Sequence, residues 1–291
     1  MFTVTLITNP AMILDPALVR GLCDAMGGGD TLWLDRSCAA EFTVRKLPGT
    51  LAEIRDSLMA EGVDMIAQPS QGRRKKLLLA DMDSTMIQQE CIDELADVAG
   101  VGPEVAAITA RAMNGELDFE GALAARVALL KGLPERVIDD VLARRITMMP
   151  GATTLVATMR AHGAYAALVS GGFTAFTAAV AAKLGFDEHR ANRLMIADGK
   201  LAGRVQDPIL GRAAKVEALD DLSTRLGITD ADVLAIGDGA NDLGMLQRAH
   251  LGVAVHAKPV VQAQARHVIN HGDLTALLYA QGYAKADFVI P

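Results

Sequence analysis

Two aspartates, Asp81 and Asp83, stand directly after the apolar run Leu77-Leu78-Leu79-Ala80. A short continuous apolar run reads as a buried parallel strand. Residues i and i+2 on extended backbone project to the same side, so both carboxylates face one site. That site would lie at the carboxyl end of a strand, where ligands of open α/β sheets bind. Two acids this close repel each other unless a cation lies between them or one keeps a proton. A hard, oxygen-ligated ion such as Mg²⁺ neutralises the pair and suits phosphate chemistry. An exposed acidic turn is the bland alternative, and the rest of the chain decides between them.

The elements that must position the pair follow it in order. Residues 88–147 show no strand pattern; helix-spaced apolar residues run over 90–99, 103–113, 119–130 and 134–144, with Gly100 and Gly132 among the breaks. The next buried strand is 164–170, followed by Gly171-Gly172 and a helix over 173–184. A hairpin is expected in 192–205, turning at Asp198-Gly199, then a helix over 213–226. Strand 232–236 ends in Gly237-Asp238-Gly239-Ala240-Asn241-Asp242, strand 251–255 follows, and a helix near 273–279 closes the chain. Strands alternating with helices give an α/β fold, a doubly wound parallel sheet carrying a helical cap. Right-handed crossovers put the carboxyl ends of parallel strands on one edge. Asp81 and Asp83, Ser170-Gly171-Gly172, and Asp238, Asn241 and Asp242 can therefore converge, with Lys215 opening a helix beside them.

Ahead of this core the order is strand 2–8, a helix from Asp15 and Pro16 to Met26, strands 31–35 and 41–45, helix 50–61 and strand 63–67. That βαββαβ order is the ferredoxin-like split motif. By element order alone it resembles the small ligand-binding ACT domain. A docking or dimerisation unit, which allows a homodimer, and an amino-acid sensor both remain open. The expected division is 1–68 for this small domain, 69–76 for a linker, 77–87 with 148–291 for the catalytic core, and 88–147 for the cap. The basic run Arg73–Lys76 is read as a solvated hinge.

Composition narrows the function classes. Apolar residues make up 51% of the 291, enough for a full core, and aromatic residues only 4%, which argues against base-stacking surfaces. A net charge of −7 argues against nucleic-acid and anionic-membrane partners, so an anionic substrate must meet a local cluster of positive groups. The three cysteines show no CxxC spacing and read as reduced thiols, which places the protein in the cytoplasm. Met1–Pro10 lacks the basic and apolar regions of a signal peptide, and no window approaches a transmembrane helix. The six histidines are dispersed and read as surface positions. Neither GxGxxG nor GxxxxGK[ST] occurs, so dinucleotide and P-loop readings lack their residues.

The ordered set DMDST (81–85), Ser170, Lys215 and GDGAND (237–242) resembles the four motifs of the haloacid dehalogenase (HAD) phosphatases. The resemblance implies Asp81 as nucleophile, Asp83 as acid and base, and Lys215 as a positive charge against the transferring phosphoryl group. It implies Mg²⁺ held by Asp81, the backbone carbonyl of Asp83 and Asp238, with Asp242 in support. Ser170, Gly171 and Asn241 would bind phosphate. Residues 81–96, 113–132 and 237–246 are similar to the phosphoserine phosphatase family, and that similarity covers nearly all of 75–291. It implies Glu90 for the ammonium and Arg126 for the carboxylate of O-phospho-L-serine, with Met113 and Phe119 lining the pocket. It also implies a cap that opens and closes on hinges near Ile87 and 148–151. The rival expectations are another phosphoester substrate, phosphotransfer to another acceptor, or an amino-acid-responsive regulator with an inert core.

Overall fold

In this computed structural model, which describes residues 1–113 and 116–290, the chain forms a small antiparallel domain, a parallel α/β core and a helical cap. The first domain runs β1 (Phe2–Thr8), α1 (Pro16–Ala25), β2 (Leu32–Asp35), β3 (Ala39–Val44), α2 (Leu51–Ala60) and β4 (Val63–Pro69). Asp15 caps α1 through its side chain, which accepts the Ala17 amide at 2.8 Å, and Pro16 supplies a preset φ at the first helical position. The sheet order β2-β3-β1-β4, all antiparallel, is that of the ferredoxin-like split motif. Val4, Leu6, Phe42 and Met65 turn inward to a core of their own beneath α1 and α2.

The chain then enters β5 (Leu77–Ala80), which is wholly buried and lies centrally in the larger sheet. Four helices follow as the cap: α3 (Cys91–Ala99), α4 (Gly102–Met113), α5 (Phe119–Leu129) and α6 (Val137–Arg144). The way out and the way back run side by side. Ile87 bridges Met148, Gln88 N donates to Thr147 O at 3.0 Å, and Met149 N donates to Met86 O at 2.9 Å. These two paired strands of backbone are the stalk of the cap, where the expected hinges lie.

The core resumes with α7 (Ala152–Ala161), β6 (Tyr165–Phe173), α8 (Thr174–Leu184), β7 (Glu188–Asn192), β8 (Leu194–Ala197), β9 (Lys200–Val205) and α9 (Arg212–Leu226). It ends with β10 (Val233–Gly237), α10 (Leu243–Arg248), β11 (Leu251–Val255), α11 (Pro259–Gln262), β12 (His267–Ile269) and α12 (Ala276–Ala280). The sheet order is β12-β11-β10-β5-β6-β7, all parallel, with apolar cores on both faces.

Several expectations need correction. The sheet has two further edge strands, β7 and β12. Glu188-His-Arg-Ala-Asn192 carries no apolar run and becomes a strand only because β6 offers it a partner edge. α7 lies where the sequence pattern shows no clear helix; its four β-branched residues, Thr153, Thr154, Val156 and Thr158, weaken the helical signal, and burial of Leu155, Val156 and Met159 restores it. The hairpin β8–β9 forms as expected, yet it leaves the core and pairs with the cap, Gly132 N donating to Leu201 O at 2.8 Å. Nor is the basic run a solvated hinge. Arg73 lies 2.5 Å from Glu41 and donates to Ala280 O, while Lys75 is buried with its Nζ on the carbonyls of Gly72 and Ala231. Only Arg74 and Lys76 face solvent. Buried cations need partners, and those partners come from segments far away in the chain. His267 is likewise buried on β12, not at the surface.

Candidate active site

The carboxyl ends of β5, β6 and β10 open on one edge of the sheet, and the side chains singled out on their loops meet there. Asp81 extends the β5 ladder by one residue, its amide donating to Ile236 O at 3.0 Å. Lys215, in the first turn of α9, reaches across with Nζ 2.7 Å from Asp81 Oδ1 and 2.5 Å from Asp242 Oδ1. Asp242 Oδ2 accepts the Gly239 amide at 2.9 Å, which folds the loop after β10 back on itself. Asp238 Oδ1 accepts from Thr85 Oγ1 at 2.9 Å.

Oxygens of Asp81, Asp238 and Asp242 lie within 4.8 Å of one another, and all three residues are buried. Two of these buried carboxylates, Asp81 and Asp242, share one ammonium, and Asp238 lies beside them. Burial, and next the nearby Asp242, push the Asp81 carboxyl well above the ordinary range, with Lys215 opposing. Burial, Asp242 and Glu90 bring Asp238 up to about 6. Burial works against the Lys215 ammonium, but Asp242 and Asp81 outweigh it and raise its pKa. The cluster therefore holds more negative charge than its one cation balances. An all-oxygen donor set of this charge fits a hard divalent ion such as Mg²⁺.

Asp83 faces the other way. Its Oδ1 accepts the Cys91 amide at 2.9 Å and its Oδ2 accepts from Ser170 Oγ at 3.2 Å. Burial, and then Glu90, push its carboxyl up to about 6. Its side chain stands outside the three-carboxylate cluster, leaving the backbone carbonyl as the group it offers an ion. Ser170 Oγ also accepts the Gly172 amide at 2.8 Å. The neighbouring Cys91 thiol is buried and its pKa is raised by burial and Asp83, so it is no thiolate nucleophile.

The cap closes over this edge. Phe119, first residue of α5, lies against Gly171 so tightly that a Cβ there would sit 2.8 Å from Phe119 Cζ. Only glycine admits that approach. Glu90, just ahead of α3, accepts from Ser84 Oγ at 2.8 Å. Arg126 of α5 is half-buried and donates to neutral oxygens, Ala122 O at 3.2 Å and Thr109 Oγ1 at 3.5 Å. Burial lowers its pKa, and Asp93 and Glu90 oppose that loss. A partly desolvated guanidinium near Glu90, bonded among the described residues to neutral oxygens, suits a ligand that carries both a carboxylate and an ammonium. Asn241 is half-buried in the loop after β10, its side chain closing on Gly239. Met113 ends α4, and its side chain lies outside the described residues.

Sequence reasoning missed three supporting groups. Thr85 holds Asp238 and stands within the same polar run as Asp81, so its hydroxyl was a legible signal. Ser84, at φ 55°, turns its hydroxyl to Glu90. Asn192 gave no signal: its Nδ2 donates to Gly171 O at 2.9 Å and Leu210 O at 3.2 Å, and its Oδ1 accepts the Leu210 amide at 2.7 Å. It ties the end of β6 at Gly171 to the loop leading into α9.

The chain is similar to known proteins over most of its length. The haloacid dehalogenase-like hydrolase family profile matches residues 78–247. A phosphoserine phosphatase from Streptomyces coelicolor is 43% identical over 262 residues, 84% of this chain but 64% of its own length. The crystal structure of a HAD family hydrolase from Salmonella enterica serovar Typhi is 31% identical and superposes with a TM-score of 0.87, over 96% of this chain and 97% of that one. The structure of a phospho-aspartyl intermediate analogue of phosphoserine phosphatase is 42% identical with a TM-score of 0.66, over 71% of this chain and 98% of that one. The chain belongs to the haloacid dehalogenase-like hydrolase family, and within it groups with the phosphoserine phosphatases.

Proposed function

We propose that this protein hydrolyses O-phospho-L-serine to L-serine and inorganic phosphate through an aspartyl-phosphate, as a Mg²⁺-dependent enzyme of the cytoplasm at the last step of serine biosynthesis. One observation carries the reading: the Lys215-bridged cluster of Asp81, Asp238 and Asp242 lies under a cap that presents Glu90, Arg126 and Phe119.

Lys215 grips Asp81 Oδ1, which fixes the carboxylate and aims its other oxygen at the open edge. That oxygen attacks phosphorus, a bond to phosphorus forms, and the bond to the serine oxygen breaks. Asp83, with its carboxyl near 6, keeps a useful fraction protonated close to neutral pH and gives its proton to the departing serine oxygen. It then takes a proton from the water that cleaves the acyl phosphate and restores Asp81. Ser170 Oγ, the Gly171 amide and Asn241 hydrogen-bond the phosphoryl oxygens, and Lys215 supplies positive charge as they move. Asp81, Asp238 and the Asp83 carbonyl, with Asp242 in support, would hold Mg²⁺, which would supply positive charge to the phosphoryl oxygens. Glu90 takes the ammonium and Arg126 the carboxylate of the substrate, and Phe119 lies against Gly171 where it limits the bulk water that reaches the phosphoryl site.

Free, buried cysteines support a reducing compartment. No helix among the described residues is long and apolar enough to cross a membrane. The test is phosphate release from a panel of phosphoesters with and without Mg²⁺. Phosphoserine should be turned over far ahead of aryl and sugar phosphates and only with the metal; indifference among esters would overturn the substrate assignment.

A further inference from the structure

We infer that Asp64, on the last strand of the N-terminal domain, is a positioning residue that holds the returning arm of the cap stalk and thereby sets how the cap closes. Asp64 is buried, 1% exposed, and far from the acidic cluster in the chain. Its carboxylate is spent on backbone. Oδ1 accepts the amide of Asn270 at 2.8 Å, and Oδ2 accepts those of His271 at 2.9 Å and Gly272 at 2.7 Å. Three consecutive amides on one carboxylate pin a loop as a rigid unit, since charge-assisted bonds of this kind exceed neutral ones. Two more bonds from the same domain support it: Asn9 Nδ2 reaches His271 O at 3.1 Å, and the His271 ring meets Met59 O at 2.9 Å.

The pinned loop in turn touches the stalk. Leu274 N donates to Pro150 O at 3.0 Å. Gly151, at φ 80°, is packed so closely on the next turn that a Cβ would sit 2.7 Å from Thr275 N and 3.0 Å from Asp273 Oδ1. Pro150 and Gly151 lie directly after Met148 and Met149, which pair with Ile87 and Met86 on the outgoing arm. A continuous path therefore runs from Asp64 through residues 270–275 to both arms of the stalk. A cavity of about 390 Å³ opens at this junction, lined by Asn9, Gln88, Met149, Pro150 and His271. The Asp64 hydrogen bonds hold the loop beside this cavity, while Ile7 and Ile66 share a buried apolar cluster with Leu274 and Leu277. The N-terminal domain then acts on the reaction without contributing a group to the site, by fixing the axis about which the cap swings.

The inference rests on the phosphatase reading only for its activity arm. Hydrogen exchange of the whole Mg²⁺-loaded protein reads it independently. In Asp64→Ala, peptides covering 84–92 and 145–153 should exchange about tenfold faster, with β5, β10 and β11 unchanged. Asp64→Asn keeps one accepting oxygen and should fall between, and Asn9→Ala should give a smaller change in the same peptides if Asp64→Ala folds poorly. With phosphoserine, KM should rise about fivefold in Asp64→Ala while hydrolysis of p-nitrophenyl phosphate, which carries no amino-acid group for the cap to grip, stays within about twofold. Unchanged exchange at the stalk, or a uniform rise across the core, overturns the inference. Failure of the wild type on phosphoserine would overturn the substrate assignment alone and leave the exchange result standing.

Discussion

In the proposed mechanism Asp81 does the chemistry and Arg126 the recognition, so substitutions at each should fail differently. Asp81→Asn keeps the volume and removes the nucleophilic oxygen, so turnover should fall by about 10⁴-fold or more and no acid-stable phosphoprotein should be trapped. Retained turnover in that variant would remove the nucleophile assignment. Arg126→Ala should cost about 10²-fold in kcat/KM for phosphoserine, because a bidentate charge-assisted pair is lost. The same variant should lose no more than about threefold on p-nitrophenyl phosphate, which lacks a carboxylate. Equal losses on both substrates would make Arg126 a structural residue of α5. At this scale Asp81, Asp83, Lys215 and Asp238 were legible because each ends or opens an element whose pattern is plain in the chain. Asn192 was not, because its partners Gly171 and Leu210 become neighbours only when β7 docks on β6.

Among the elements, the cap stalk and the edge strand β12 make the clearest demands. Gly151→Ala would place a methyl at φ 80° and against the Thr275 amide, at a cost of about 1–2 kcal/mol, and should lower Tm and slow turnover together. His267 on β12 is held neutral: burial first, then the nearby Arg266, lower its ring pKa to about 4. The unfolded chain has an ordinary histidine near 6.5. Above that pH both states are neutral and nothing is lost. Below it the unfolded state gains a proton first, so stability falls as pH drops from about 6.5 toward 4. At pH 5 the loss should be about 2 kcal/mol relative to pH 8. Urea unfolding of His267→Gln, compared at the two pH values, should show a loss smaller by about that amount; an equal loss in both proteins would assign the pH effect elsewhere.

On the scale of the whole molecule, excess negative charge at the sheet edge ties metal binding to folding. On the proposed reading Mg²⁺ binds the assembled cluster and not the unfolded chain, so it should stabilise by about 2.7 kcal/mol at a hundredfold excess over Kd. Thermal unfolding with Mg²⁺ and after chelation should therefore differ by several degrees. Asp242→Asn should shrink that difference by reducing the cluster's charge. A Tm indifferent to Mg²⁺ would place the ion elsewhere. The same scale explains the basic run after β4. Arg73 and Lys75 look like a solvated hinge because their partners Glu41, Ala231 and Ala280 come from three different segments. The bonds bind the two domains into one body.

The chain alone determined the kind of fold and which side chains gather as candidates at the sheet edge. A fully apolar strand ending in two carboxylates, repeated glycine-bounded turns after later strands, and a helical stretch between them follow from local pattern, which needs no partner to be visible. Tertiary structure decided what depends on contacts between distant segments. It paired β7 and β12 onto the sheet edges, drove Phe119 against Gly171, shared Lys215 between two carboxylates, and set Asp64 against the loop that steadies the cap. Burial and hydrogen-bond partners are properties of the assembled molecule, and no spacing in the sequence encodes which amide a buried carboxylate will find.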